Sequence, residues 1–255
     1  MEVLIKTARE ISIMRESGKI LAEVLRIVAD AVKPGVSTKK LDEIAEREIR
    51  RRGAEPSFKN YSPVPGMKYP ASICVSINNE VIHGIPKSDR KIQEGDIVGL
   101  DMGGRYKGYC ADMTETVLVG KCSEEAKKLV RVAKNCLVAG ITQAKAGNRT
   151  GDIGMAIQNV AESAGFSVVR DFVGHGVGKF VHEPPEIPNY GKAGQGLKLK
   201  EGMTLALEPM INAGKSDVKM LDDGWTEVTA DGSLSAHFEH TVAITKDGPE
   251  ILTKN

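Results

Sequence analysis

Residues 94–119 read EGDIVGLDMGGRYKGYCADMTETVLV and decide how the centre of the molecule folds. Two runs rich in apolar and β-branched residues flank the turn sequence GGRYKG, which predicts two strands joined as a hairpin. A hairpin folded about Tyr106 and Lys107 would place Asp112 opposite Asp101, with their Cβ atoms about 5 Å apart. Carboxylates this close in a buried strand require a proton or cations between them. The alternative is that both acids flank the turn in solvent.

Four helices are predicted outside this hairpin, two before it and two after it. Apolar residues recur there at helical spacing, with Ser or Thr as capping residues and glycine as the stop. The predicted spans are 7–32, 37–52, 123–146 and 150–165. Gly53 lies 18 residues after Gly35, and Gly165 lies 18 residues after Gly147. Aligning Gly35 with Gly147 therefore also aligns Gly53 with Gly165.

The strand regions repeat in the same order as the helices. The matching segments are EGDIVGLD (94–101) with EGMTLALE (201–208), HGIP (83–86) with HEPP (182–185), and DMT (112–114) with EHT (239–241). Chance similarity of helix stops is the alternative, but it does not explain why acids fall on acids. We therefore predict a single catalytic domain, 1–255, that contains a duplication of about 7–120 and 121–250. The predicted fold class is α+β: two pseudo-two-fold related α/β halves with a central curved, mostly antiparallel sheet covered by helices.

The duplication brings further acids to the centre of the sheet. It sets Asp101 opposite Glu208 and Asp112 opposite Glu239, so that four carboxylates converge where the halves meet. A charge of about −4 in a buried site requires cations, and two divalent ions would neutralise it.

Histidines are the second source of candidate site residues. His175 lies between glycines in VGHGVGKFVHEPP, where the backbone can approach a ligand closely. His83 and His182 form a duplicated pair that suits substrate contact or proton transfer. His237 and His240 bracket the acid in AHFEHTVAI, and we interpret both as structural.

The candidate metal ligands are therefore rich in oxygen and include one imidazole. They are Asp101, Asp112, His175, Glu208 and Glu239. This set favours Mn²⁺, Fe²⁺, Co²⁺ or Zn²⁺ over a thiolate zinc centre. Two such ions sharing a site predict hydrolysis of a carbonyl or phosphoryl compound.

Composition narrows the class of protein. The 255 residues are 41% hydrophobic and 27% charged, with a formal net charge of +1, so no bulk charge favours nucleic acid or membrane binding. No apolar run approaches the roughly 20 residues of a membrane helix, and the charged N-terminus lacks a signal-peptide core. The four cysteines form no C-x-x-C pair and are expected to be reduced, which predicts a cytoplasmic protein.

The motifs together resemble one known family. SINNEVIHGIP, GDIVGLDMGGRYKGYCADMTET, FVGHGVGKFVHEPPEIPNY, GMTLALEPM and AHFEHTVAIT match type I methionine aminopeptidases, of the pita-bread fold, in order and spacing over nearly the whole chain. The resemblance implies removal of N-terminal methionine from nascent polypeptides, with a preference for small second residues. The chain has neither the N-terminal zinc-binding extension of many eukaryotic relatives nor the large helical insertion of type II enzymes, so a bacterial-style enzyme is expected.

The resemblance also implies roles for individual residues. Asp112 and Glu239 would bridge two divalent ions, His175 and Glu208 would complete one ion, and Asp101 would complete the other. His83 would contact the scissile amide nitrogen, His182 would hold the next carbonyl oxygen, and Glu208 would also carry protons. The methionine pocket would be lined by Tyr69, Cys74 and Trp225, with Phe180 or Val181 nearby. A monovalent cation, Na⁺ or K⁺, would involve Asn78 and Ser235.

Several partners and alternatives follow from the same resemblance. The expected partners are nascent polypeptides and the ribosome surface, without nucleic acid or membrane, and the expected state is a monomer. An Xaa-Pro peptidase of the same fold would use the same five ligands, although such relatives usually carry an added N-terminal domain. A non-catalytic binding protein of this fold would have lost the ligands, all of which are present here.

Overall fold

Four α-helices form in the computed structural model, which describes residues 3–254. They are α1 (Ala8–Asp30), α2 (Thr38–Arg51), α3 (Glu124–Gln143) and α4 (Thr150–Ser163). The side chains of Thr7, Ser37 and Ser123 cap the first three by accepting a bond from the backbone N–H three residues later. Such caps satisfy a donor that the first turn of a helix leaves free. The four predicted stop glycines, 35, 53, 147 and 165, all have positive φ angles, between 74° and 97°.

Short strands make up the rest of the regular structure. They are β1 (Glu55–Pro56), β2 (Cys74–Ile77), β3 (Glu80–Ile82), β4 (Ile97–Tyr106), β5 (Tyr109–Leu118), β6 (Ser167–Val168), β7 (Gly174–Gly176), β8 (Glu183–Ile187), β9 (Thr204–Leu207), β10 (Met210–Asn212), β11 (Val218–Met220), β12 (Glu227–Thr229), β13 (Ser235–His237), β14 (Glu239–Thr245) and β15 (Gly248–Ile251). The main sheet has the order β1-β4-β5-β14-β9-β7-β8, with β2 added to β4 and β15 to β14. Every pair within it is antiparallel.

The central hairpin forms, but the predicted register is wrong. Tyr106 pairs with Tyr109, so the turn is centred on Lys107 and Gly108 rather than on Tyr106 and Lys107. Both turn residues have positive φ, 47° and 85°, which is the backbone of a two-residue hairpin turn whose twist matches that of the strands. Because the turn lies one residue later, Asp101 pairs with Thr114, and Asp112 pairs with Gly103.

The two acids nevertheless share one face of the hairpin. Residues two apart along a strand point to the same side, so Asp112 lies diagonally across from Asp101. The direct pairing of Asp101 with Glu208 is also wrong, because β5 and β14 lie between their strands. Glu239 pairs with Thr114 rather than with Asp112.

The helices pack on the sheet and enclose separate parts of the core. Helix α1 packs on β4 and β5, and α3 packs on α4 and on the β10 and β13 edge of a small sheet. Leu21 of α1 lies against Gly104 of β4, where any larger residue would meet the leucine side chain. Within residues 3–254, no helix combines the length and apolar character that a membrane crossing requires.

We predict that Gly18→Ala destabilises the fold. Gly18 lies buried in the middle of α1, and a Cβ there would collide with the backbone carbonyl of Leu252, which cannot move like a side-chain end. Overpacking of this kind costs about 1–3 kcal/mol, and alanine recovers up to about 1 kcal/mol through helix propensity. We therefore expect the free energy of unfolding in urea to fall by about 1 kcal/mol. Lys19→Ala, at the exposed neighbouring position, is the control and should change it by less than about 0.5 kcal/mol. Equal stability of the two variants would contradict this packing.

Candidate metal centre and active site

The candidate ligands lie in two adjacent rows across one face of the main sheet. The first row runs from Asp101 through Thr114 to Glu239, which are successive partners on β4, β5 and β14. Glu208 follows directly after β9, beside β14. The sheet thus fixes these side chains by strand register, without relying on mobile loops.

The second row lies two residues away from the first along each strand, and therefore on the same face of the sheet. Asp112 is bonded to Thr241 of β14, whose Oγ1 accepts from the Asp112 N–H at 2.8 Å. Thr241 pairs with Ala206 of β9, and Ala206 pairs with His175 of β7. His175, which the sequence places in a glycine-rich loop, therefore belongs to a short strand. The structure brings all five predicted ligands to one cavity.

Hydrogen bonds leave the carboxylates only partly satisfied. The Thr114 hydroxyl lies 3.0 Å from Asp101 Oδ1 and 2.9 Å from Glu239 Oε2. One hydroxyl carries one proton, so it can donate to only one of these acids at a time. The other oxygen of Glu239, Oε1, is buried without any hydrogen-bond partner.

Burial and mutual repulsion raise the pKa values of the four carboxyl groups. Burial raises the pKa of Asp101 to about 7. Burial, followed by the negative charges of neighbouring carboxylates, raises the pKa values of Asp112, Glu208 and Glu239 well above their usual range. Without cations, this cluster therefore holds protons near neutral pH.

The residues present fit divalent metal ions. No lysine or arginine of residues 3–254 is among those lining the cavity, so no basic side chain there neutralises the four carboxylates. Three trios of side chains each offer ligand atoms that lie within 4.8 Å of one another: Asp112, His175 and His182; His175, Glu208 and Glu239; and Asp101, Asp112 and Glu239. Two of the trios share Glu239 and two share Asp112, which is compatible with a centre of more than one ion. The oxygen-rich donor set suits Mn²⁺, Fe²⁺, Co²⁺ or Zn²⁺.

The orientation of His175 supports the same conclusion. Its Nδ1 lies 2.9 Å from the carbonyl oxygen of Gly176, which can only accept a hydrogen bond, so Nδ1 carries the proton of the neutral ring. Burial lowers the pKa of His175 to about 3, and the ring is therefore neutral at pH 7. Its Nε2 lone pair then faces Glu208 Oε1 at 3.2 Å. Two acceptors at this distance need a proton or a cation between them.

His83 and His182 face the same cavity from outside the ligand rows. His83 has a left-handed backbone, φ 59°, and its ring meets the edges of Phe172 and Trp225 at centroid distances of 5.9 and 6.4 Å. His182 lies between Tyr61, at 4.9 Å, and His175, at 4.4 Å. Desolvation by the surrounding side chains lowers the pKa of the half-buried His83 and of the more exposed His182 to about 4, so both rings are neutral at pH 7. A neutral ring can donate one hydrogen bond and accept another.

The structure adds one residue that the sequence interpretation took as structural. His237 lines the cavity, and its buried Nε2 lies 3.7 Å from Glu208 Oε2 without a hydrogen-bond partner. His240 instead bonds to the Thr253 hydroxyl at 2.9 Å and is not among the cavity residues. Strand alternation could have separated them: His237 precedes Glu239 by two residues and so shares its face, whereas His240 is adjacent to Glu239.

An apolar compartment adjoins the acidic cluster within a cavity of about 480 Å³. Tyr69, Cys74 and Trp225 are among the residues that line this cavity, and the rings of Tyr69 and Trp225 meet edge to face at 5.1 Å. Further apolar residues on its walls are Phe58, Tyr61, Pro63, Val64, Met67, Ile82, Phe172, Val173 and Met220. Of the two predicted neighbours, Val181 is buried in the same cluster as Tyr69 and Cys74, whereas Phe180 is 68% exposed; neither lines the cavity itself.

The predicted monovalent-cation residues are close together. The Ser235 N–H donates to the Asn78 carbonyl at 2.8 Å, and Asn78 has a left-handed backbone with φ 57°. The Asn78 side-chain amide N–H donates to Asp96 Oδ1 at 2.8 Å.

Comparison with known proteins identifies relatives along the whole chain. The model of metallopeptidase family M24 matches residues 12–246. The methionine aminopeptidase of Clostridium perfringens is 52% identical over 98% of this chain and 98% of its own length. Methionine aminopeptidase 1 of Bacillus subtilis is 50% identical over 99% of each chain. The crystal structure of methionine aminopeptidase from Thermotoga maritima superposes with a TM-score of 0.96 at 44% identity and covers 100% of both chains.

We predict that metal binding displaces protons, and more of them at low pH. Raised carboxyl pKa values mean that the metal-free site holds protons at pH 6 and fewer at pH 8. Titration calorimetry with Mn²⁺ in buffers of different ionisation enthalpy should therefore give more protons released per chain at pH 6 than at pH 8. Asp101→Asn should reduce that difference, and Asp89→Asn, at an exposed acid, should leave it unchanged. Equal proton release at the two pH values would contradict the shifted carboxyl groups.

Proposed function

This chain belongs to metallopeptidase family M24, and we propose that it removes the N-terminal methionine from polypeptides by hydrolysing the first peptide bond. One observation carries the proposal: five side chains suited to metal binding lie at one end of an apolar cavity that also holds two neutral histidines. The named relatives and the superposed structure, which match the chain from end to end, support the same activity.

The proposed metal ligands are Asp101, Asp112, His175, Glu208 and Glu239, with Asp112 and Glu239 shared between two ions. Their placement on adjacent strands and the trios that they form support this assignment. When bound, divalent ions in such a cluster acidify a water molecule and polarise a carbonyl oxygen. The protein supplies the rest: it orients the substrate, excludes water and moves protons.

The apolar compartment is proposed to hold the methionine side chain. An unbranched thioether packs well against aromatic edges and a thiol, which Tyr69, Trp225 and Cys74 provide. The Tyr69 hydroxyl is already engaged, since it donates to the Gly84 carbonyl at 3.0 Å, so it presents its ring rather than its oxygen to the pocket. The acidic cluster then lies next to the scissile bond.

Histidines and one carboxylate are proposed to act on the reacting atoms. Neutral His83 can donate to or accept from the scissile amide nitrogen, and neutral His182 can donate to the next carbonyl oxygen. Glu208 is proposed to pass the proton of the attacking water to the leaving amine. Its Oε1 lies 3.2 Å from His175 Nε2 and its Oε2 lies 3.7 Å from His237 Nε2, so both oxygens are within the cavity.

The finer assignments follow from the proposed substrate. Because its proposed substrates are new polypeptides, we propose that the enzyme acts in the cytoplasm beside the ribosome surface. A preference for small second residues would follow from the crowding of His83, His182 and Tyr61 around the cavity. A monomer is proposed from the family resemblance, and a single chain supplies all five proposed ligands. Asn78 and Ser235 are proposed to adjoin a Na⁺ or K⁺ site.

A duplication of 7–120 and 121–250 is proposed on the repeated helix pairs and their four stop glycines.

The rival within the same fold is an Xaa-Pro peptidase with the same ligands. The full-length match to methionine aminopeptidases favours the methionine reading, because this chain and the Thermotoga maritima enzyme cover each other completely. A non-catalytic binding role is opposed by the complete set of acids and histidines in the cavity.

We expect the metal-stripped protein to release methionine from Met-Ala-Ser only after Mn²⁺, Co²⁺ or Fe²⁺ is restored. Asp112→Asn should lower kcat/KM by more than about 100-fold, because it removes a carboxylate shared between two of the trios. Asp89→Asn, with an exposed acid elsewhere, is the matched control. Amino-acid analysis of the products measures the release. Cleavage of Ala-Pro peptides in place of Met-Ala-Ser would transfer the assignment to the Xaa-Pro class, and no cleavage of either by folded, metal-loaded protein would overturn it.

A further inference from the structure

A buried ion pair ties the start of the chain to the segment that carries His182. The Lys6 ammonium lies 2.6 Å from Glu183 Oε2, and only 5% and 3% of the two side chains are exposed. The ammonium also donates to the Leu4 carbonyl at 3.3 Å, and the Lys6 backbone N–H donates to the Gly202 carbonyl at 2.8 Å. Lys6 is thus fixed at both its backbone and its side chain, although it precedes the first helix.

Glu183 uses its second oxygen within the same segment. Oε1 accepts from the Phe180 N–H at 3.1 Å, and the Gly178 N–H donates to the Phe180 carbonyl at 3.0 Å. The Gly178 carbonyl in turn accepts from Cys110 N–H of β5 at 2.6 Å. We call residues 178–183 the histidine turn. It is held at one end by β5 and at the other end by Lys6.

Packing around the ion pair leaves little room for adjustment. A Cβ at Gly178 would meet both the Lys6 stem and the Glu183 carboxylate, so the turn can close over the pair only because residue 178 is glycine. His182, the neighbour of Glu183, projects into the cavity between Tyr61 and His175. The Glu183 backbone is paired with Gly176 in the sheet, and its carboxylate joins the Phe180 N–H to Lys6, so the side chain ties down the loop part of the turn that carries His182.

Stability alone does not account for this arrangement. A buried ion pair is often no more stabilising than apolar side chains of the same volume, because both charges lose their hydration. What it does provide is a directional constraint between two segments 177 residues apart in sequence. A displacement of a catalytic group by about 1 Å can cost about 100-fold in rate.

We propose that Lys6 is a positioning residue that orients His182 through Glu183. The proposal rests on the proposed role of His182 toward the substrate carbonyl. Removal of the Lys6 charge lets the histidine turn relax and lowers kcat for Met-Ala-Ser. Tyr69, Cys74 and Trp225, which lie outside the turn, keep their places along the cavity, and KM stays within about threefold.

The test is a double-mutant cycle between Lys6→Met and His182→Ala. We expect Lys6→Met to lower kcat about 10- to 100-fold in the wild-type background and less than threefold in the His182→Ala background, measured under single-turnover conditions. Because Lys6→Met leaves Glu183 buried and unpaired, the variant Lys6→Met/Glu183→Gln is measured as well. It removes both charges and should show the same loss of kcat. Lys127→Met, which breaks an exposed ion pair on α3, is the control and should behave as the wild type.

Hydrogen exchange gives a readout that does not depend on activity. In both Lys6 variants, the amides of residues 178–183 should exchange at least 10-fold faster than in the wild type, while those of β4 and β5 stay protected. A loss of kcat that is equal in both His182 backgrounds, or unchanged exchange of the histidine turn, would overturn the proposal. If the wild-type protein released no methionine, the proposed function would fail, and hydrogen exchange alone would decide whether Lys6 holds the turn.

Discussion

The main constraint on this structure is that the sheet holds four carboxylates, which repel one another, close together in a buried site. Asp101, Asp112, Glu208 and Glu239 cannot move apart, because each is fixed by its strand or directly follows one. Their raised pKa values show that the metal-free chain binds protons where divalent ions would otherwise neutralise the charge. The surrounding sheet and helices make this concentration of charge possible by supplying a rigid, apolar framework.

Sequence patterns predicted this framework because most of its signals are local. Apolar spacing over 7–32, helix caps at Ser37 and Ser123, and stop glycines after each helix act within a few residues and predicted the helices nearly as observed. The resemblance to the aminopeptidase family then supplied the pita-bread fold, which the superposed structure confirms. Composition alone would not have distinguished this fold from other α+β arrangements.

The incorrect predictions concern positions where a shift of one residue in strand register, or a contact between residues far apart in sequence, decides the geometry. A turn centred on Lys107 and Gly108 shifts Asp101 onto Thr114, and only the left-handed backbone at both turn positions reveals that shift. His237 reaches the cavity because β13 ends just before β14 begins, although alternation along the chain already pointed that way. The sequence left open whether Phe180 or Val181 lies near the pocket. Val181 packs in the cluster of Tyr69 and Cys74 whereas Phe180 is exposed, and contacts with residues far away in the chain decide between them.

We propose that the carboxylate cluster holds two divalent ions. Equilibrium dialysis of the metal-stripped protein against Mn²⁺ at pH 7.5, with metal counted per chain, tests it most directly. We expect two ions per chain for the wild type and fewer than one for a variant in which Asp112→Asn and Glu239→Gln are combined, since both acids are shared among the trios. Retention of fewer than one ion by the folded wild-type chain, or equal retention by the double variant, would contradict it.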